Sequence, residues 1–210
     1  MTESEGSFAE AVAAARRGEL VVLPTDTIYG IGTRPDDPAA TARVFAAKRR
    51  PRALELPVFV EDLEVARGVG RFDDRAERLA SACWPGPLTL VVPRGPSALP
   101  WDLGGDPDTI GLRSPRHELA LDLVRATGPL AITSANRSGQ PPATTCDELR
   151  AVFGGEIAVY LCQDEPLEGL ASTVLDLAHG PARILREGDL SAERLRELLP
   201  DEPALDSPPS

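Results

Sequence analysis

The feature that most constrains the fold is the alternation of short apolar runs with amphipathic segments along the chain. ELVVLP (19–24), PVFV (57–60), PLTLVVP (87–93), TIGLR (109–113), PLAITSA (129–135), EIAVYL (156–161), STVLDLA (172–178) and ARILR (182–186) are strand-length and closed by proline, glycine or polar residues. The segments between them carry helix start and stop signals. SFAEAVAAARRG has Ser7 to cap its start and Gly18 to end it, DDPAATARVFAAK places Pro38 in a first turn, and RHELALDLVRATG stops at Gly128. EDLEVARG and DDRAERLASACW begin with acids, which suits a helix N-terminus. CDELRAVFGG and SAERLRELL complete the set. This is an α/β pattern. The last strands follow one another without intervening helices, so the expected sheet is mixed rather than purely parallel.

At 210 residues the chain suits one domain, over residues 1–199, with a proline-rich acidic tail at 200–210 expected to be disordered. The longest apolar runs fall far short of a membrane span. The acidic start, MTESEGSFAEAV, lacks the basic-then-apolar layout of a secretory signal, so the expected location is the cytoplasm. Cys83, Cys146 and Cys162 form no metal-binding spacing and are expected to be reduced. With only His117 and His179 present, a histidine relay or multi-histidine metal site is hard to assemble.

The net charge is −11, a poor starting point for tight nonspecific binding to nucleic acid. Within that acidic chain, residues 43–52 hold Arg43, Lys48, Arg49, Arg50 and Arg52 with no acid among them. A local positive pole of this size suits a small anionic ligand. Lys48 is the only lysine; the other 21 basic residues are arginine. Positive charge at a helix end complements the helix dipole, but arginine would do that equally well. A lysine is a compact, rotatable point charge where arginine is a planar fork.

Two further stretches place polar residues at strand ends, where α/β proteins bind ligands. LPTDTIYGIG (23–32) offers Thr25, Asp26 and Thr27, then Gly30 and Gly32; it matches neither the dinucleotide fingerprint nor the P-loop and reads equally as a polar turn. AITSANRSGQPP (131–142) runs from an apolar strand into Ser134, Asn136 and Ser138, which suit ligand or turn hydrogen bonds better than nucleophilic catalysis. Arg113, Ser172 and Arg186 each sit at the edge of an expected strand.

Taken in order, PTDTIYGIG, the Lys48-x-Arg50-Pro51 run, WPGPLTLV, the Arg113-x-Pro115 run, SANRSG, STVLD and ILREG resemble the YrdC-like family of threonylcarbamoyl-AMP synthases over about residues 8–199. The resemblance implies a twisted mixed α/β sheet with flanking helices and a concave cavity. It also implies a reaction in which L-threonine, bicarbonate or CO₂, and ATP give threonylcarbamoyl-adenylate and pyrophosphate. A downstream transferase complex would then deliver the threonylcarbamoyl group to tRNA. By the same resemblance, Lys48 and Arg50 are the expected catalytic residues. Nucleotide contacts are expected from these two with Thr109, Ser134, Asn136 and Arg186, and threonine contacts from Thr27, Arg113 and Ser172. Magnesium is expected to arrive with ATP, with no protein ligands assigned. Leu54, Phe59 and Pro142 depart from the family pattern; the first two stand where some relatives carry an asparagine and a histidine that touch substrate. A paralogue with altered substrate, or an RNA-binding relative without synthase activity, is the alternative, and a weak tRNA contact is compatible with either.

Overall fold

The computed structural model describes residues 6–202 and Leu205. Among the described residues nine strands form one sheet: β1 (Val21–Leu23), β2 (Gly30–Thr33), β3 (Val58–Phe59), β4 (Leu88–Pro93), β5 (Thr109–Arg113), β6 (Leu130–Ser134), β7 (Val159–Tyr160), β8 (Thr173–Asp176) and β9 (Arg183–Arg186). Their order is β7-β1-β2-β6-β3-β5-β4-β8-β9. The pairs β1–β7, β3–β5 and β4–β8 are parallel and the other five antiparallel, so the sheet is mixed as the chain order suggested.

Seven α-helices among the described residues flank it: α1 (Phe8–Arg16), α2 (Pro38–Lys48), α3 (Leu63–Val69), α4 (Asp74–Cys83), α5 (Glu118–Thr127), α6 (Cys146–Phe153) and α7 (Ala192–Leu198). Ser7 caps α1 in a reciprocal box with Glu10, and Asp37 caps α2 ahead of Pro38. Asp62 and Asp73 cap α3 and α4. No described helix is long and apolar enough to cross a membrane.

β2 was not legible as a strand, because Gly-Ile-Gly-Thr offers only one strand-favouring apolar side chain. It forms because its neighbours demand it. A Cβ on Gly32 would overlap Ile132 and the Ala131 carbonyl of β6, so glycine is what lets the two backbones pair.

Strand alternation divides the sheet into two unlike faces. Leu88, Leu90 and Val92 of β4, Ile110 and Leu112 of β5, and Leu175 of β8 enter the larger core. On the opposite face a second core packs α1 and α5, through Ala11, Ala14, Ala15, Ala120 and Leu123, against Val21, Leu23 and Ile132. That cover does not extend over β5, β4, β8 and β9. There the alternate residues Thr89, Val91, Thr109, Gly111, Arg113 and Val174 line a cavity.

Two expectations are corrected. Cys146, at the start of α6, and Cys162, just after β7, are joined as a disulfide with their Cα atoms 5.9 Å apart; only Cys83 is free. The start of the expected tail is held: Glu202 pairs with Arg75 at 3.0 Å and accepts from the Ala182 amide, while Leu205 is buried in the main core. The rest of the expected tail, 203–204 and 206–210, lies outside the described residues.

Candidate active site

The cavity has a volume of about 430 Å³ and collects wall residues from the whole length of the chain. Thr27, Arg50, Thr109, Arg113, Ser134, Ser172 and Arg186 all line it. The fold therefore gathers seven of the nine residues singled out in the sequence. The other two, Lys48 and Asn136, sit together directly behind Ser134. Lys48 Nζ donates to Asn136 O at 2.7 Å, to Asn136 Oδ1 at 3.2 Å, and to Ser134 O.

At one end the wall is cationic. α2 stops at Lys48, and Arg49 adopts a left-handed conformation (φ 49°, ψ 41°) that turns the chain so that Arg50 lines the cavity. Arg50 donates from Nη2 to Glu55 O at 2.8 Å. Arg186 arrives by a different device. Val174 pairs with Arg186 but Leu175 with Ile184, so a bulge in the β8–β9 ladder absorbs Leu185. In a regular ladder Arg186 would share the core-facing side of Ile184; the extra residue puts it on the cavity side, opposite Val174. Its Nε and Nη2 grip Ser172 O at 3.0 and 2.8 Å.

Burial lowers the pKa of both arginines, and the positive charge of Arg186 lowers that of Arg50 further. Both stay protonated in water, so the cavity holds two like charges that an anion would relieve. Lys48 behind them is pulled from 10.5 to about 7, chiefly by burial and then by Arg50.

The other anchor is Arg113, nearly fully buried at the end of β5. Its Nε donates to Gly86 O at 3.0 Å, Nη1 to Thr27 Oγ1 at 3.1 Å and Nη2 to Asp26 Oδ1 at 2.6 Å. Its guanidinium carbon lies 5.4 Å from the centre of the Phe59 ring. Burial lowers its pKa and the charge of Arg186 adds to that, while the charge and hydrogen bond of Asp26 act against the loss. Three of its five N–H groups thus have protein partners, and the remaining two suffice for a carboxylate. Thr27 is held by Thr25, whose Oγ1 accepts from Thr27 N at 3.1 Å and donates to Ile28 O at 2.7 Å. Ser172 Oγ lies 2.9 Å from Thr89 Oγ1.

Thr89 was not singled out in the sequence, and Asp26 only as one polar residue of the 23–32 turn, with no role assigned. Asp26 stands beside Thr27 in the sequence, but its partner Arg113 is 87 residues away. Sequence reading also missed the acidic end of the cavity, where His179 bridges Asp176 at 2.9 Å and Asp106 at 3.2 Å. Nearby Glu55 is pushed up to about 8, mainly by burial, against the opposing pull of Arg94. Among the described residues no group of three or more His, Cys, Asp or Glu side chains could hold a metal ion.

A mixed α/β sheet with one face left open, and with Arg50, Arg113 and Arg186 all lining the opening, defines an α/β protein with a cationic cavity suited to anionic ligands. The chain belongs to the Sua5/YciO/YrdC family, whose sequence model, described as "Telomere recombination", matches residues 13–188. A Mycobacterium tuberculosis protein that bears the name threonylcarbamoyl-AMP synthase provisionally is 43% identical over 190 residues, covering 90% of this chain and 87% of that one. The threonylcarbamoyl-AMP synthase of Pyrococcus abyssi is 37% identical over 186 residues, or 88% of this chain and 54% of that one. The P. abyssi Sua5 structure complexed with L-threonine superposes with a TM-score of 0.84 at 34% identity, covering 93% of this chain and 58% of that one. This chain therefore spans a little over half the length of the archaeal protein. YciO of E. coli, 24% identical with a TM-score of 0.82 over 90% of this chain and 92% of its own, shares the fold.

Proposed function

We propose that this chain is a threonylcarbamoyl-AMP synthase, joining L-threonine, bicarbonate or CO₂, and ATP into threonylcarbamoyl-adenylate with release of pyrophosphate. One observation carries the reading: Arg50, Arg186 and Ser134 share a single cavity with Arg113, Thr27 and Ser172. The two arginines suit a triphosphate, Ser134 Oγ can accept from a donor on the nucleotide, and the second group suits an amino acid.

In the reaction the threonine amine is first carboxylated, losing a proton to give a carbamate. A carbamate oxygen then attacks the α-phosphorus of ATP, the bond from that phosphorus to the bridging oxygen breaks, and pyrophosphate leaves with the electron pair. Two anions must meet, so the protein's contribution is positive charge and exclusion of water. Arg50 and Arg186 supply that charge at the phosphates. Thr109 and Ser134 supply neutral hydrogen bonds to the nucleotide. The two uncommitted N–H groups of Arg113 hold the threonine carboxylate, with Thr27 and Ser172 beside it. Magnesium would ride on the nucleotide with phosphate and water as ligands and offset phosphate charge. The product would pass to a transferase that modifies tRNA, and the cytoplasm is the compartment proposed for both.

Leu54 and Phe59 line the cavity and make it more apolar than an asparagine and a histidine would. That observation favours a second reading, a paralogue that accepts another amino acid. Pyrophosphate release measured with threonine, serine or valine separates the two. Release that needs both threonine and bicarbonate supports the synthase; release with valine in preference to threonine supports the paralogue. No release with any amino acid, together with salt-sensitive RNA retention on gels, would overturn both in favour of RNA binding.

A further inference from the structure

The lone lysine occupies an unexpected position for a phosphate ligand. Lys48 is only 1% exposed and does not reach the cavity wall. Its ammonium has three protons to donate. Three oxygens of one turn receive them: Ser134 O, Asn136 O at 2.7 Å and Asn136 Oδ1 at 3.2 Å.

The turn is committed in return. Ser138 N donates to Lys48 O at 2.8 Å, so backbone and side chain of one residue hold both limbs of the 134–138 segment. Asn136 Oδ1 also accepts from Ser134 Oγ at 2.6 Å, and its Nδ2 donates to Gln140 O at 2.6 Å. The side chain of Asn136 is therefore occupied within the turn. Of this group only Ser134 faces the cavity. The cations that do face it at this end, Arg50 and Arg186, are arginines.

We propose that Lys48 is a positioning residue: it latches the Ser134–Asn136 turn from behind, and the triphosphate is held by Arg50 and Arg186 without direct contact from the ammonium. This rests on reading the cavity as a nucleotide site. It accounts for the single lysine in a chain that otherwise uses arginine. Three oxygens of one tight turn converge on a point, which a tetrahedral ammonium can satisfy and a planar guanidinium cannot.

Because the chain has one lysine, protein labelled with [¹⁵N]lysine gives one side-chain Nζ signal. In the free protein, Lys48→Gln should displace the Asn136 side-chain amide signals in ¹⁵N spectra; unmoved amide signals in folded Lys48→Gln protein would sink the latch. Saturating wild-type protein with magnesium and an ATP analogue inert at the α,β-bridge should shift the Arg50 Nε signal and leave the Lys48 Nζ signal in place. A large Nζ shift with phosphorus coupling would make Lys48 a phosphate ligand and overturn the proposal. Lys48→Gln should raise KM for ATP tenfold or more while threonine affinity stays within twofold. If the analogue moves neither Arg50 nor any other cavity signal, the nucleotide reading fails, and the Asn136 signals of the free Lys48→Gln protein still decide for or against the latch.

Discussion

Replacing Asp26 with alanine should destabilise the protein in a way that threonine partly repairs. The carboxylate pairs with Arg113 at 2.6 Å, and the two side chains are 12% and 4% exposed. Removing one partner of a buried ion pair costs about 3–5 kcal/mol, because the survivor keeps its charge without compensation. Arg113 retains its bonds to Gly86 O and Thr27 Oγ1 and its place against Phe59, which puts the expected loss at the low end, about 3 kcal/mol. For a domain of this size each kcal/mol moves the midpoint by about 2–4 °C, so thermal melting should show a fall of roughly 6–12 °C. On the proposed placement of the substrate, added threonine supplies a carboxylate to the same guanidinium. The midpoint should therefore rise more per unit of threonine in Asp26→Ala than in wild type, measured in parallel melts. An Asp26→Ala protein melting within about 2 °C of wild type would refute the pairing argument. An equal response to threonine in both proteins would refute the placement of the substrate carboxylate on Arg113.

Other consequences are as direct. Arg49 holds a left-handed conformation at the end of α2, so Arg49→Gly should stabilise the fold by about 1 kcal/mol, read as a higher denaturant midpoint with unchanged slope. The Cys146–Cys162 disulfide closes a loop with a sequence separation of 16, and its reduction, or Cys146→Ser with Cys162→Ser, should lower unfolding free energy by about 3 kcal/mol in guanidinium titrations. His179 has its pKa raised above 6.5 by hydrogen bonds to Asp176 first and Asp106 second. Its stabilising contribution is full below pH 6.5 and fades as pH climbs through the folded value, so an imidazole NMR titration should give a midpoint above 6.5 that falls in Asp176→Asn.

What could be read from the sequence follows a physical line. Helices announced by local capping chemistry, such as Ser7 with Glu10 or Asp37 with Pro38, need no distant partner to be recognised. Strands with consecutive apolar residues, such as β4, were equally plain. β2 was hidden because its reason for being a strand lies in the close approach of Ile132 and Ala131 a hundred residues later. The gathering of Thr27, Arg113 and Ser172 was anticipated through a family likeness rather than through any local signal. The placement of Lys48 behind the wall, the bulge that redirects Arg186, and the junction of Cys146 with Cys162 all depend on tertiary register, which composition and periodicity do not encode.

Among the described residues the sheet ends on two strands, β7 and β9. An unpaired strand edge invites a strand from another molecule to join it. β7 is two residues long and offers little to a newcomer. β9 is longer, but Arg183 and Arg186 stand at its two ends, and identical copies meeting there would bring like charges together. Arg186 thus guards the sheet margin as well as lining the cavity, and a variant that neutralises both arginines would leave exposed Leu185 on that margin with no electrostatic guard against self-association.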